Sequence, residues 1–229
     1  MYPQQVSAIK LLFIFFIAHF LLFNHSFSQC NTTITSFPYS QSFESGIGDW
    51  EQGTGDDFDW TVDNGGTPSG ATGPTNASDG TNYIYVEASA PNYPNNTADL
   101  LTPCFDLSCD ASSLNFDYHM YGATTGTLDV EVEAPAGSGN WTQVFTISGD
   151  QGNTWNSTTI DLSAFLGQTI KVRFAAETGS SYTGDITIDN FNITCISCPP
   201  VPSVSASPTS VNCGGTSVLT ASGGSGSYI

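Results

Sequence analysis

The sequence runs to 229 residues, only 10% of them charged, yet its formal net charge is -18 because just Lys10, Lys171 and Arg173 are basic. So few cations leave no patch that would neutralise phosphates, which excludes nucleic acid and anionic lipid as partners. An aromatic content of 12% supplies enough apolar area to offset chain entropy, which excludes a disordered chain.

In chain order, the first feature is an export signal over residues 1–28. Lys10 precedes an apolar run from Leu11 to Ala18 and another from Leu21 to Phe23, and Ser26-Phe27-Ser28 is a small-x-small cleavage pattern. His19, Asn24 and His25 interrupt the run, which favours cleavage over a retained anchor. Gln29, standing before Cys30, is too large for a lipidation site. The mature protein is therefore expected to be secreted or at the cell surface, with no membrane insertion after signal removal. In that oxidising setting Cys30, Cys104, Cys109, Cys195, Cys198 and Cys213 are disulfide candidates. Cys195-Ile-Ser-Cys198 has redox and zinc spacing, but zinc needs further Cys or His ligands, and Pro199-Pro200 replaces the helix of a thioredoxin-type site.

The stretch from Trp50 to Thr81 is rich in Gly, Asp, Thr and Pro and reads as a long irregular loop, functional or mobile. Short runs of period two follow: Tyr83 to Glu87, Leu114 to Tyr121, Leu128 to Glu133, Trp141 to Ile147 and Thr158 to Leu162. Ile170, Val172 and Phe174 then point inward with Lys171 and Arg173 outward, and Ile186, Ile188, Phe191 and Ile193 belong to the last strand. Many short strands between turn signals predict an all-β, antiparallel two-sheet sandwich. After Cys198 a Pro-rich linker, Pro199 to Pro202, leads to Val204–Val211 and Ser217–Ser222, which read as the incomplete start of an immunoglobulin-like β module over 198–229.

Several pieces in order resemble the MAM domains of meprins, neuropilins and receptor tyrosine phosphatases. They are Phe43-Glu44, Trp50, Asp56 to Trp60, Leu114 to Gly122, Gly126 to Leu128, Gly149 to Gly152 with Trp155, and Gly184 to Phe191. The resemblance covers roughly residues 29–197 and implies a jelly roll. Gly65 to Ser69 and Ser113 to Gly122 look most like MAM domains of secreted Bacteroidetes-type bacterial proteins. The animal family usually has Cys near the positions of Asp49 and Ser113, so its disulfide pairing does not carry over. Because the ends of a jelly roll lie close together, Cys30 would bridge to Cys195 or Cys198, while Cys104 and Cys109 would close a short local loop.

The resemblance also implies calcium, with Glu44, Asp56, Asp57 and Asp189 as its ligands and Asp59 beside them. Physically, clustered carboxylates need a cation, and calcium takes hard oxygen ligands; the alternative is that these are ordinary turn residues. Trp50 and Trp60 flank the acidic loop and are candidates for stacking on a ligand, whereas Phe43 and Trp155 are assigned to core packing. Of the three histidines only His119 survives signal removal, and its place in an alternating strand makes it a solvated sheet-face residue rather than a catalytic one. A carboxylate pair of glycosidase type is the sole enzymatic option left, and acids are too plentiful here for their presence to count. The chain thus reads as a non-enzymatic adhesion or ligand-binding module, calcium-stabilised, with an extracellular protein or glycan partner and homotypic association as a further expectation. The alternative is a carbohydrate-binding accessory domain of a hydrolase outside these residues.

Overall fold

A computed structural model describes residues 30–198 and two further strands at 203–207 and 218–222. The period-two runs are strands, and the intervals rich in Gly, Asn and Pro are turns. In chain order the strands are β1 (Thr33–Ile34), β2 (Tyr39–Gln41), β3 (Glu51–Gln52), β4 (Thr61–Asn64), β5 (Asn82–Val86), β6 (Thr97–Leu101), β7 (Cys104–Asp106) and β8 (Ala111–Met120). They continue with β9 (Thr127–Glu133), β10 (Trp141–Ser148), β11 (Asn156–Asp161), β12 (Thr169–Glu177), β13 (Ile186–Ile196), β14 (Ser203–Ser207) and β15 (Val218–Ser222). A single 3-10 turn, Ser163–Phe165, is the one helical element among the described residues.

Two sheets form around β12 and β13. In the first, β12 pairs with β9 along one edge, and its other edge is shared by β7 at Thr169–Ile170 and β6 at Arg173–Glu177. Outside these lie β10 on β9, β3 on β6, and β1 on β7, the last pair being parallel and the rest antiparallel. In the second sheet, β13 pairs with β8 on one side, with β5 at Ile186–Ile188 and with β2 at Phe191–Ile193 on the other; β4 flanks β5 and β11 flanks β8. The sandwich is the expected jelly roll.

The change of partner along β13 has a local cause. Between Asp189 and Asn192 the register with β8 slips, and Asn190 adopts a φ of 50°. Two residues of β13 then oppose one of β8, which is a β-bulge. The bulge reverses the alternation, so that Ile186 and Ile188 before it and Phe191 and Ile193 after it all enter the core. Without it Phe191 would face outward. Phe191 joins Phe43, Trp50, Phe105, Phe116 and Phe174 in an aromatic layer between the sheets, with Trp50 4.8 Å from Phe191 and 5.8 Å from Phe174. Fully burying each such ring contributes about 1.5–3 kcal/mol.

The disulfides join Cys30 to Cys104 and Cys109 to Cys195. Both pairings correct the expected ones. Cys104 lies on β7 in the first sheet, next to the parallel β1, whereas Cys109 precedes β8 in the second sheet, beside the end of β13. The segment between them crosses from sheet to sheet, so five residues of separation do not bring the two thiols together. Cys198 is exposed and belongs to neither bridge, contrary to its expected pairing. The expected signal peptide, the prolines of the linker and Cys213 lie outside the described residues. Of the module expected after Cys198, the described part is an antiparallel pairing of β14 with β15.

Candidate ligand-binding face

The segment between β4 and β5 has no regular structure, but it is tied down residue by residue over the outer face of the second sheet. Gly65 O accepts from Tyr83 Oη at 3.1 Å, and Thr72 Oγ1 donates to Tyr121 O at 3.0 Å while accepting from Asp185 N at 2.8 Å. Asn76 O accepts from Trp155 Nε1 at 2.9 Å. Carboxylates close the rest of the segment. Asp189 Oδ2 accepts from the backbone N–H groups of Ser78 and Asp79, each at 2.8 Å, and Glu44 Oε1 from those of Thr81 and Asn82, each at 2.7 Å. Asp117 accepts from the hydroxyl of Ser78 at 2.6 Å and from Asn190 Nδ2 at 3.1 Å. Gly80, at φ 67°, makes room for this arrangement, since a Cβ there would lie 2.6 Å from Glu44 Oε1.

The cover changes the electrostatics beneath it. Tyr83, Tyr85, Asp117, His119, Thr187 and Asp189 point away from the hydrophobic core, yet all are buried. Burial pushes the Asp189 carboxyl up to about 6 against the opposing pull of its backbone donors, and raises Asp185 to about 6 in the same way. It also raises the Tyr83 and Tyr85 phenols. Glu44, which is exposed, moves the other way, because the N–H groups of Asn82 and Thr81 favour its charged form. Among the described residues every ion pair involves β12. Lys171 pairs with Glu51 at 2.9 Å, and Arg173 pairs with Asp99 at 3.1 Å and with Glu131, its guanidinium 4.5 Å from the Trp141 ring centre. Lys171 does point outward as expected, but Glu51 helps to bury it.

The four expected calcium ligands do not converge. Glu44 and Asp189 grip the two ends of the 78–82 turn on the second sheet. Asp56 accepts from Asp99 N at 2.6 Å and Asp57 from Thr97 N at 2.8 Å, both on β6 of the first sheet. They complete the hydrogen bonding of a strand, as turn acids commonly do. Among the described residues no group of three or more His, Cys, Asp or Glu side chains is placed to hold a metal ion. A four-carboxylate calcium site therefore does not fit this fold; only Glu44 and Asp189 share a neighbourhood.

Trp50 and Trp60 are not a stacking platform. They are 3% and 2% exposed, with Trp50 Nε1 donating to Tyr39 Oη at 3.1 Å and Trp60 Nε1 to Ala98 O at 3.0 Å. Their flanking loop closes inward, so both rings complete the core. Phe43 is buried there as expected. Trp155 is the exception to the core assignment: it is half-buried on the outer face, against Tyr83 at 6.1 Å and His119 at 5.6 Å. His119 is not solvated either. It is 1% exposed; Nε2 lies 3.1 Å from Asn153 Oδ1, and Nδ1 is buried with no hydrogen-bond partner among the described residues. Burial lowers its pKa, so the ring is neutral. Its Nδ1 lacks the carboxylate that orients a catalytic triad histidine. Beside it, residues 74–77 and 153–155 line a half-open pocket of about 260 Å³, which no local pattern in the sequence marks.

These features define a disulfide-bonded jelly-roll domain whose outer face is closed by a hydrogen-bonded loop. The chain belongs to the MAM domain (meprin/A5/mu) family, whose sequence model matches residues 41–199. It is 32% identical over 154 residues to MAM domain-containing glycosylphosphatidylinositol anchor protein 1 of Gallus gallus, covering 64% of this chain and 16% of that protein. It is 30% identical over 146 residues to Neuropilin-1 of Xenopus laevis, covering 63% of this chain and 15% of that protein. The chain thus spans about a sixth of the length of the curated relatives it matches. They are animal proteins and do not support the bacterial affinity expected from Gly65 to Ser69 and Ser113 to Gly122. Among solved structures, the K2 cleaved adhesin domain of Lys-gingipain superposes with a TM-score of 0.50 at 17% identity, covering 69% of this chain and 99% of that one, a likeness of fold alone.

Proposed function

We propose that this chain is an extracellular adhesion or ligand-binding module of a larger secreted or cell-surface protein, acting by recognition and not by catalysis. The observation that carries the reading is membership of the MAM family across 41–199, joined to a fold held by two long-range disulfides. Such bridges persist in oxidising compartments, and the relatives named above include glycosylphosphatidylinositol-anchored proteins. No helix among the described residues is long and apolar enough to cross a membrane. A binding role is supported by His119, whose Nε2 is engaged by an amide and whose Nδ1 has no hydrogen-bond partner among the described residues. The partner is an extracellular protein or glycan, or a second copy of the chain. The test is attachment of the immobilised full chain to cells and to extracellular matrix, with sedimentation to read self-association. Attachment or self-association supports the module; neither, from a folded chain, overturns it.

Calcium stabilisation belongs to this reading in a reduced form, with Glu44 and Asp189 as its protein carboxylates. Its support is electrostatic. Asp189 is a buried carboxylate with Asp79 beside it and no ion pair among the described residues, and a cation at the 78–82 turn would relieve that cost.

A further inference from the structure

We propose that the pocket beside Trp155 is a recognition site for a single neutral sugar ring. The inference rests on the ligand-binding reading above and names the chemistry of the ligand. Two loops make the walls, residues 74–77 from the covering segment and 153–155 ahead of β11, and His119 lies between them. The two loops are joined by the Trp155 Nε1–H bond to Asn76 O, and Tyr83 and His119 pack around the indole. The indole is therefore fixed before any ligand arrives, which limits the entropy lost on binding.

The lining selects the ligand by exclusion. Its polar side chains are Thr75, Asn76, His119, Asn153 and Thr154, all uncharged, and the two cations of the described chain are held in ion pairs on β12 of the other sheet. A phosphate, sulfate or carboxylate would give up part of its hydration there and meet no counter-charge among the lining residues. A purely apolar ligand would displace water from the amides and hydroxyls of the lining without replacing its hydrogen bonds. Hydroxyl groups donate and accept at once and so match the donor and acceptor of an Asn amide. A sugar ring adds an apolar C–H surface for the indole. At about 260 Å³ the pocket falls just below the range of roughly 300–1,000 Å³ usual for drug-sized ligands, which suits one ring and not a buried chain. With about twelve non-hydrogen atoms at roughly the ordinary efficiency per atom, such a ligand binds with a Kd on the order of 1 mM.

The experiment titrates the full chain with the methyl glycosides of glucose, galactose, mannose and N-acetylglucosamine, read by tryptophan fluorescence and saturation-transfer NMR. At least one is expected to bind near that Kd. Asn153→Ala, at an exposed position, is expected to weaken it by about tenfold, and Trp155→Ala to abolish it, with the thermal midpoint reporting whether the fold survives. Gln143→Ala on the other sheet is expected to change nothing. Failure of every glycoside to bind at tenfold above the expected Kd overturns the site, as does binding indifferent to Asn153→Ala. The attachment assay separates this from the parent reading. Cell attachment without sugar binding removes the pocket and leaves the module, while sugar binding without attachment keeps the pocket and removes the adhesive role.

Discussion

Replacing Trp50 by alanine distinguishes a core ring from a ligand platform. Trp50 is 3% exposed, packs against Phe43, Phe174 and Phe191 at 5.4, 5.8 and 4.8 Å, and donates its indole N–H to Tyr39 Oη. Truncating a buried aromatic of this size costs roughly 3–5 kcal/mol through lost transfer energy and the cavity left behind. The three ring contacts and the orphaned Tyr39 hydroxyl place Trp50→Ala at the upper end of that range. For a domain of this length each kcal/mol moves the midpoint by about 2–4 °C, so the expected fall is roughly 10–20 °C. Urea unfolding followed by far-ultraviolet circular dichroism gives the free energy, and a thermal scan gives the midpoint. Trp50→Phe keeps much of the ring packing and should lose far less. A change within about 0.5 kcal/mol for Trp50→Ala, the size expected of an exposed side chain, refutes the core assignment.

Peptide mapping without reduction is expected to recover Cys30 linked to Cys104 and Cys109 to Cys195; a Cys104–Cys109 peptide overturns the sheet assignment of that segment. Removing the Cys109–Cys195 bridge, which closes a loop with a sequence separation of 86, by a double Ser substitution should cost about 4–5 kcal/mol in a chain-entropy account, measured by urea unfolding; a loss under about 1 kcal/mol contradicts that account. In chelator, stability should rise as the medium is acidified from neutrality. Asp185 and Asp189 are held at about 6 against an ordinary 3.8, so between those values the folded state binds more protons than the unfolded one. Their contribution is then complete below the unfolded value and lost as pH rises through about 6. Asp185→Asn should flatten that slope, and an unchanged slope refutes its role. Calcium should raise the thermal midpoint over chelator in the native chain and not in Asp189→Ala; equal midpoints in the native chain remove the metal proposal.

Period-two alternation by itself determined the sandwich, because side chains on a strand must alternate between core and solvent. Leu114, Phe116, Val130, Val132, Val172 and Phe174 are buried where the pattern put them. Disulfide bonding and family resemblance were likewise legible, since short motifs and composition carry them. The identity of the outer face was half legible. Trp155 shares parity with Ser157 and Thr159 and not with Ile160, so the alternation already pointed it away from the core, but nothing local shows that a distant loop will meet it.

The rest was decided in three dimensions. The disulfide pairing depends on which sheet each cysteine enters, and five residues suffice to cross from one to the other. The inward turn of Phe191 depends on a bulge at Asn190; the parity break between Ile188 and Phe191 marks its place in the sequence, but the register of β13 against β8 decides its form. Trp50 and Trp60 enter the core because their flanking loop closes inward, whereas Trp155 lies on the outer face, and His119 becomes buried because residues 65–81 fold back over that face. The carboxylates of Glu44 and Asp189 choose that course by capturing backbone N–H groups far away in sequence, and Asp117 by capturing the Ser78 hydroxyl. Burial is a sum over the whole fold, whereas sequence pattern records only the orientation of each side chain on its own strand.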